Sequence, residues 1–193
     1  MRETRRLQTR ERLLGAAIAE FKRKGIAAAE VGAIVSAAGV AHGTFFFHFP
    51  TKEHVLLELE VREETRMAND LVRALKRRND IATVLAQTVR VVEDLEQRLG
   101  QRLFKDFLAL HFSTSRPPDE ESTKHPYIVA VVDELERAHQ RGETNGKTDA
   151  FHLGVFFLLG LYALLITLPE ANEVRRPVLD QYVATALHGM VAP

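Results

Sequence analysis

The chain has 193 residues with 26 basic and 26 acidic side chains, so it carries no formal net charge and is long enough for one domain or two small ones. This balance excludes a uniformly basic nucleic-acid coat and a disordered acidic tail, and the 46% of hydrophobic residues can form a core. Because cysteine is absent, disulfide scaffolds, thiolate metal sites and cysteine nucleophiles are excluded as well.

The N-terminal part of the chain differs in charge from the rest. Residues 1–54 hold nine Lys or Arg against five Glu, so the remaining 139 residues carry a net charge of −4. A small basic head on an acidic body is typical of nucleic-acid binding proteins, although chance segregation gives the same pattern. The Arg-rich start is not followed by an apolar stretch, so we see no secretory signal and expect a cytoplasmic protein.

Four helices are predicted in the first part of the chain, over residues 9–24, 30–37, 41–49 and 51–76. Thr9 and Thr51 can cap the first and the fourth of these helices, and Pro50 ends the third. Gly39 lies between the second and third helices, where it can supply the positive φ of a tight turn.

The remaining chain has the same helical character. Helices are predicted over residues 81–99, 102–112, 127–141, 150–168 and 177–191, with a polar, proline-containing loop over 113–126. No strand pattern and no internal repeat is visible. The sequence therefore predicts an all-α fold of about nine helices.

A short helix, an Ala-Gly-Val turn and a second short helix form the pattern of a helix-turn-helix, whose second helix enters the major groove of DNA. The exposed first half of that second helix must be small or polar, as Ala-His-Gly-Thr at residues 41–44 is. Phe45 and Phe49 can pack on the preceding helix. An ordinary helical hairpin has the same turn, so both interpretations remain open at this point.

The residues from Gly39 to Glu53, Gly-Val-Ala-His-Gly-Thr-Phe-Phe-Phe-His-Phe-Pro-Thr-Lys-Glu, resemble the signature of the TetR/AcrR family of transcriptional regulators. The segments Arg-Leu-Leu-Gly-Ala-Ala at 12–17 and Phe-Lys-Arg-Lys-Gly at 21–25 are similar to the first helix of that family. The resemblance implies an N-terminal helix-turn-helix domain over residues 1–54 and a C-terminal helical ligand-binding and dimerisation domain over residues 55–193.

The resemblance also implies roles for individual positions. It places His42 and Gly43 at base edges, Thr44 at a phosphate, Phe46 and His48 against the DNA backbone, and Lys52 at a phosphate near a helix N-terminus. Because base edges carry the sequence information, we expect specificity to rest mainly on His42 and Gly43.

Three departures from the family pattern predict a weak grip on the DNA backbone. Ala29 and Ala41 stand where a hydroxyl residue usually precedes a helix, and Phe46 stands where tyrosine is frequent. The loss of one such cap costs about 1 kcal/mol. The basic N-terminal residues can compensate for this weak grip as a flexible arm that lies along phosphates or in the minor groove; they are Arg2, Arg5, Arg6 and Arg10. The alternative is that this end of the chain is solvated and frayed.

Residues 150–168 carry no formal charge and are just long enough to span a bilayer. Polar residues and glycines dilute this segment and no strong basic cluster flanks it, so a buried helix is favoured over a membrane anchor.

The resemblance implies a homodimer formed by the last two helices, with an interface that includes Phe157, Gly160, Leu161, Leu164, Tyr182 and Ala186. Such a dimer would read an inverted repeat with half-sites roughly 34–36 Å apart, or near a multiple of the helical turn.

The body of such regulators usually holds a small-molecule pocket. Phe104, Phe107 and His111 lie at i, i+3 and i+7 on one helical face, and Phe156 could oppose them. An aromatic wall with one polar group suits a largely apolar effector, although plain core packing accounts for the same residues.

An enzymatic function has no support in the sequence. Glu136 and His139 form a Glu-x-x-His pair, but a di-iron site needs two such pairs and further carboxylates. The other histidines of the body show no ligand spacing, and none of the common nucleophile, zinc or phosphate-loop motifs occurs. We expect no catalytic residue, no metal and no cofactor.

Taken with the resemblance, the sequence predicts a homodimeric DNA-binding repressor that a small effector releases from a two-fold symmetric operator. A membrane-associated helical bundle and a metal-dependent bundle enzyme are the less favoured alternatives.

Overall fold

The computed structural model describes residues 2–75, 79–113, 125–169 and 172–191. Over these residues the chain forms nine α-helices, which are α1 (Arg2–Lys24), α2 (Val31–Ala38), α3 (His42–His48), α4 (Lys52–Ala74), α5 (Ile81–Leu99), α6 (Gln101–Ala109), α7 (Pro126–Gln140), α8 (Ala150–Thr167) and α9 (Asn172–Met190). A 3-10 turn, Leu110–Phe112, follows α6. The described part contains no β-strand, only an isolated bridge between Thr144 and Val191. The predicted all-α fold is confirmed.

The chain divides into two compact units, of which the first comprises Met1–Val61 and Glu96–Ser122. In this unit α1 packs against α2 and α6, and α2 packs against α3. Its core consists of apolar side chains that are at most 2% exposed, among them Leu13, Leu14, Phe21, Ile34, Phe45 and Phe49. On α1 the buried residues follow the helical repeat, so the face predicted from the sequence is the one that packs.

Polar contacts fasten α6 to the end of α1. Arg102 Nη1 donates to the carbonyl of Arg23 at 2.5 Å, and a carboxylate oxygen of Asp106 accepts from the backbone N–H of Ile26 at 2.7 Å. Because Ile26 lies in the connection from α1 to α2, α6 supports the start of the segment that leads into the helix-turn-helix.

The second unit comprises Arg62–Leu95 and Thr123–Pro193, with α8 packed against both α7 and α9. Tyr127 of α7 is fully buried, and its hydroxyl donates to the carbonyl of Thr88 at 2.7 Å. Burial raises the pKa of Tyr127 well above its usual value, so the hydroxyl remains a donor.

Two glycines let α8 approach its neighbours closely. A β-carbon at Gly154 would lie 2.9 Å from Cγ2 of Val132 on α7, and one at Gly160 would overlap the hydroxyl group of Tyr182 on α9. The Tyr182 ring stacks on Phe157 with centroids 5.3 Å apart, and its hydroxyl donates to the Phe157 carbonyl at 2.6 Å. The close approach expected at Gly160 therefore occurs inside one protomer.

Two predicted helix starts are wrong. α1 begins at Arg2 rather than at Thr9, and an ion pair between Glu3 and Arg6 stabilises its first turns. α9 begins at Asn172, so Pro177 lies inside the helix rather than at its start. Pro177 is the sixth residue of α9, so the helix lacks the one hydrogen bond that an N–H at this position would donate to the carbonyl of Glu173.

The helix predicted over 102–112 ends at Ala109 and continues as the 3-10 turn. Most of the predicted loop over 113–126, and the predicted end of the fourth helix at 76, lie outside the described residues. The compact units do not follow the predicted boundary between residues 54 and 55, and that functional division stays a prediction.

Among the described helices, α8 is long and apolar enough to cross a bilayer, with a mean hydropathy of 2.1 over Ala150–Thr167. The core helix of a soluble protein has the same properties. Since α8 packs against α7 and α9 through close contacts, we retain the interpretation as a core helix.

Replacing Gly160 with alanine is expected to destabilise the second unit. The new β-carbon would force α8 and α9 apart or displace Tyr182 from its stacking position and its hydrogen bond. We expect the free energy of unfolding, measured by urea denaturation, to fall by about 1–3 kcal/mol.

Gly15→Ala is the matched control. Gly15 lies on the exposed face of α1 and a β-carbon there meets nothing within 4 Å, so this change should raise the free energy of unfolding by up to about 1 kcal/mol. A Gly160→Ala protein as stable as the parent would show that the two helices are not closely packed.

Candidate nucleic-acid interface

A left-handed glycine joins α2 to α3. Gly39 adopts φ 64° and ψ 43°, a conformation that residues with a β-carbon rarely enter. Its N–H donates to the carbonyl of Ser36 at 3.1 Å, and the N–H of Val40 donates to that of Val35 at 3.0 Å, which closes the end of α2. The two helices are bent by 97°, a typical angle for a helix-turn-helix. The predicted motif is confirmed.

The inner face of α3 is anchored in the first unit. Phe45 and Phe49 are fully buried with ring centroids 5.9 Å apart. His48 also faces inward and is only 8% exposed. Desolvation, together with the positive charges of Arg10 and Arg6, lowers the pKa of His48, which favours its neutral form. A contact between this side chain and the DNA backbone, as expected from the resemblance, does not fit its burial.

The outer face of α3 carries most of the residues expected to contact DNA. His42, Gly43 and Phe46 are exposed and Thr44 is half-buried. The rings of His42 and Phe46, one helical turn apart, have centroids 5.7 Å apart. Ala41 occupies the N-cap position without a side-chain hydrogen bond, as its lack of a hydroxyl predicts.

Sequence reasoning missed Phe47, which is 73% exposed on the same helix. The signal was present in the three consecutive phenylalanines. Because successive residues of a helix point about 100° apart, a helix that turns Phe45 and Phe49 inward places Phe47 on the opposite face.

Lys52 is bound to the protein's own backbone. Its Nζ donates to the carbonyls of Ile26 at 2.7 Å, Ala29 at 3.0 Å and Ala27 at 3.2 Å. An ammonium group has three donors, so these carbonyls use all of them. Lys52 thus ties the α1–α2 connection to the start of α4, and the expected phosphate contact does not fit this geometry.

The Arg-rich start is helical rather than a flexible arm. Arg2, Arg5, Arg6 and Arg10 all lie in α1. Arg5 and Arg6 are exposed, and Arg6 forms an ion pair with Glu3 at 2.8 Å. The prediction of a flexible arm is therefore wrong. The basic residues lie on the exposed N-terminal end of a helix.

Arg10 contributes to the packing of α3. Its guanidinium carbon lies 4.2 Å from the centroid of the Phe49 ring, and Nη1 donates to the carbonyl of His48. Nη2 is 2.6 Å from a carboxylate oxygen of Glu58 on α4. Arg10 therefore fixes the C-terminal end of α3, and the DNA contact expected of it does not fit these interactions.

The residues expected to line a ligand pocket lie in different environments. Phe104 and Phe107 are 0% and 1% exposed in the core of the first unit. The His111 side chain is also buried there, with Nε2 3.4 Å from a carboxylate oxygen of Glu60. Phe156 is exposed on α8 in the second unit. Their ligand-binding role stays a prediction, and the first three serve as core residues in this structure.

Four of the six residues expected at the dimer interface pack within the protomer. Phe157 and Leu161 are buried there, and Gly160 and Tyr182 pack on each other, as described above. Leu164 and Ala186 are half-buried. The role of these six residues in dimerisation stays a prediction.

The two residues of the Glu-x-x-His pair lie in different surroundings. His139 Nδ1 lies 2.7 Å from the hydroxyl oxygen of Thr144, and Glu136 is exposed. His125, which appeared isolated in the sequence, has its Nδ1 2.9 Å from a carboxylate oxygen of Glu64. Folding thus brings an imidazole to a carboxylate at a sequence separation that no motif would reveal.

Comparisons with known proteins agree with the geometry of the helix-turn-helix. Residues 13–59 match the family model of bacterial regulatory proteins, tetR family. The chain is also 28% identical over 145 residues to the uncharacterized HTH-type transcriptional regulator YdgC of Bacillus subtilis (strain 168), covering 74% of this chain and 72% of that protein.

Solved structures share the fold over nearly the whole chain. FadR of Thermus thermophilus, a TetR-family transcriptional repressor solved in complex with lauroyl-CoA, superimposes with a TM-score of 0.72 at 18% identity and covers 95% of this chain and 96% of that one. The fatty acid degradation regulator FadR from Bacillus halodurans gives 0.66 at 19% identity, with 93% and 98% covered. At these identities the likeness concerns the fold.

Replacing Lys52 with methionine is expected to destabilise the protein. The variant keeps the apolar stem but leaves three backbone carbonyls without their ammonium donor. We expect the free energy of unfolding to fall by about 1–3 kcal/mol in urea denaturation. Arg5→Ala, a change of an exposed cation on α1, is the control and should alter it by less than about 0.5 kcal/mol. Unchanged stability of Lys52→Met, with weaker and less salt-dependent DNA binding, would restore the phosphate-contact role.

Proposed function

Because the chain is a transcriptional regulator of the TetR family, we propose that it is a homodimeric repressor that binds a two-fold symmetric DNA operator in the cytoplasm and leaves it when a small, largely apolar molecule binds. Regulators of this family are DNA-binding transcription factors and not enzymes. They bind DNA operators and small-molecule ligands and function as dimers.

The observation that carries the DNA-binding proposal is the exposed outer face of α3. His42 and Thr44 offer polar groups to base edges and phosphates. Gly43 has nothing within 4 Å of the position of a β-carbon, so the backbone of α3 can approach the groove closely. Since Lys52 and Arg10 are used inside the protein, Arg5 and Arg6 on the exposed face of α1 are the cations we propose for phosphate contacts.

An exposed stripe on α8 supports the homodimer. Phe156 is 62% exposed and Leu159 is 37% exposed, and both share one face with Ala163 at intervals of three and four residues. On α9 the exposed residues include Val174 and Ala184. Apolar side chains at this spacing are costly in water, and a two-fold related copy of α8 and α9 would cover them.

A largely apolar effector is proposed from the related regulators. FadR of Thermus thermophilus was solved with lauroyl-CoA, and its Bacillus halodurans counterpart is named a fatty acid degradation regulator. For this chain we retain Phe104, Phe107 and His111 as the predicted contact residues, whereas the exposed Phe156 is assigned to the dimer stripe. An effector releases DNA only if it prefers a conformation in which the two DNA-binding heads no longer match the operator.

Lauroyl-CoA titrated into the protein–DNA complex is a first probe, and release of labelled DNA would support the proposal.

The DNA-binding proposal is tested by selecting bound fragments from sheared genomic DNA at near-physiological salt and sequencing them. We expect a recurring inverted repeat with half-site centres roughly 34–36 Å apart or near a multiple of the helical turn. His42→Ala should lower affinity for that repeat by about tenfold, since one hydrogen bond worth about 0.5–1.5 kcal/mol is lost in each of the two half-sites.

The matched control is His139→Ala, which removes an exposed histidine from α7, outside the helices proposed for DNA binding and for the dimer. This variant should bind the repeat as the parent does. Uniform retention of all fragments, or equal binding by the His42→Ala protein, would overturn the assignment of α3 as the reading helix.

The dimer proposal is tested by placing a charge on the exposed stripe of α8. Phe156→Asp should give a particle close to the 21.7 kDa chain mass in light scattering, whereas the parent should have about twice that mass, because a buried carboxylate opposes association. Phe112→Asp changes an exposed phenylalanine outside α8 and α9 and should leave the dimer intact. A Phe156→Asp protein that remains dimeric would place the interface elsewhere.

A further inference from the structure

The reading helix lacks the side chains that distinguish bases by paired hydrogen bonds. The sequence of α3 is His-Gly-Thr-Phe-Phe-Phe-His, without Arg, Lys, Asn, Gln, Asp or Glu. Arg or Lys on guanine and Asn or Gln on adenine are the commonest specific contacts in the major groove. On α3 only His42 and Thr44 can donate or accept from a side chain that is not buried. Base recognition by this helix therefore needs another source of selectivity.

Phe47 offers an apolar surface that the fold does not use. At 73% it has the highest exposure among the large hydrophobic side chains of the described residues. Its ring is nearly perpendicular to the His48 ring, with centroids 5.1 Å apart. Phe46, by comparison, leans on Phe45 and His42, with centroid distances of 5.4 and 5.7 Å. Phe46 thus has a packing role, whereas most of the Phe47 ring is available to a partner.

The position of Phe47 directs its ring toward the end of α3 that enters the groove. Side chains of an α-helix tilt toward the N-terminus and cover the turn before their own Cα. One turn before Phe47 is Gly43, which has no side chain and nothing within 4 Å of the position of a β-carbon. The space above Gly43 is therefore open to a base edge that touches the Phe47 ring.

The apolar group that DNA presents in the major groove is the 5-methyl of thymine, and phenylalanine is among the residues that contact it. We propose that Phe47 is a specificity-determining residue that recognises the methyl group of one thymine in each half-site of the operator. The inference rests on the proposed DNA-binding function and adds the chemical group that this helix reads.

The test uses the full-length protein and the inverted repeat recovered by selection. Each thymine is replaced in turn by deoxyuridine in both half-sites, which removes the methyl group and keeps every hydrogen-bonding group of the base. At one position we expect the affinity to fall by about fourfold for each half-site, and thus by about 15-fold for the symmetric pair, as the burial of one methyl predicts.

The protein variants connect this loss to Phe47. Phe47→Ala should bind the thymine operator more weakly than the parent and should no longer distinguish thymine from deoxyuridine at that position. Phe112→Ala, which removes an exposed phenylalanine outside the helix-turn-helix, should keep the full difference. Because Phe47 has little burial to lose, its removal should leave the thermal unfolding midpoint near that of the parent, which checks the fold of the variant.

The outcomes separate the two proposals. An operator whose thymines all tolerate deoxyuridine overturns the role of Phe47 and leaves DNA binding intact, as does a Phe47→Ala protein that retains the difference. If selection recovers no recurring sequence, the proposed function fails and the role of Phe47 fails with it.

Discussion

The burial of two phenylalanines on the inner face of α3 is the interaction on which the rest of the head depends. A helix of seven residues is far too short to be stable by itself, since isolated helices shorter than about 12–15 residues are marginal in water. Phe45 and Phe49 are fully buried, and each contributes about 1.5–3 kcal/mol relative to exposure. This anchor sets the rotation of α3 about its axis, and the rotation decides that His42, Phe46 and Phe47 face outward.

Basic residues of the head hold backbone segments in place as well as supplying positive charge. Lys52 gathers three carbonyls of the α1–α2 connection, and Arg10 reaches a carbonyl at the end of α3 while its guanidinium lies over the Phe49 ring. Carbonyls in such places need donors because the helices they flank cannot supply them. The surplus of positive charge over residues 1–54 is therefore partly used inside the protein, and less of it is available to DNA.

In the second unit α8 is apolar around its whole circumference, although only part of this surface packs within the protomer. Phe157 and Leu161 are buried against its own protomer, and Gly160 lets Tyr182 of α9 come close enough to stack and donate a hydrogen bond. Phe156 and Leu159 remain outside and are exposed. An apolar stretch of this length thus combines a core face and a free face, which the composition of the segment could not separate.

Local patterns in the sequence determined the all-helical fold, the left-handed turn at Gly39 and the burial of Phe45 and Phe49. Helical periodicity and glycine conformation act over a few residues, so the sequence alone carries them. The resemblance to DNA-binding regulators also lies in a short continuous segment. The tertiary structure alone decided that His48 is buried, and that Lys52 and Arg10 bind carbonyls. It also decided that His111 lies beside Glu60 and His125 beside Glu64, pairs separated by 51 and 61 residues. The partner of a long cation or of a histidine is whatever group packing brings within reach, and packing depends on contacts between segments far apart in the chain.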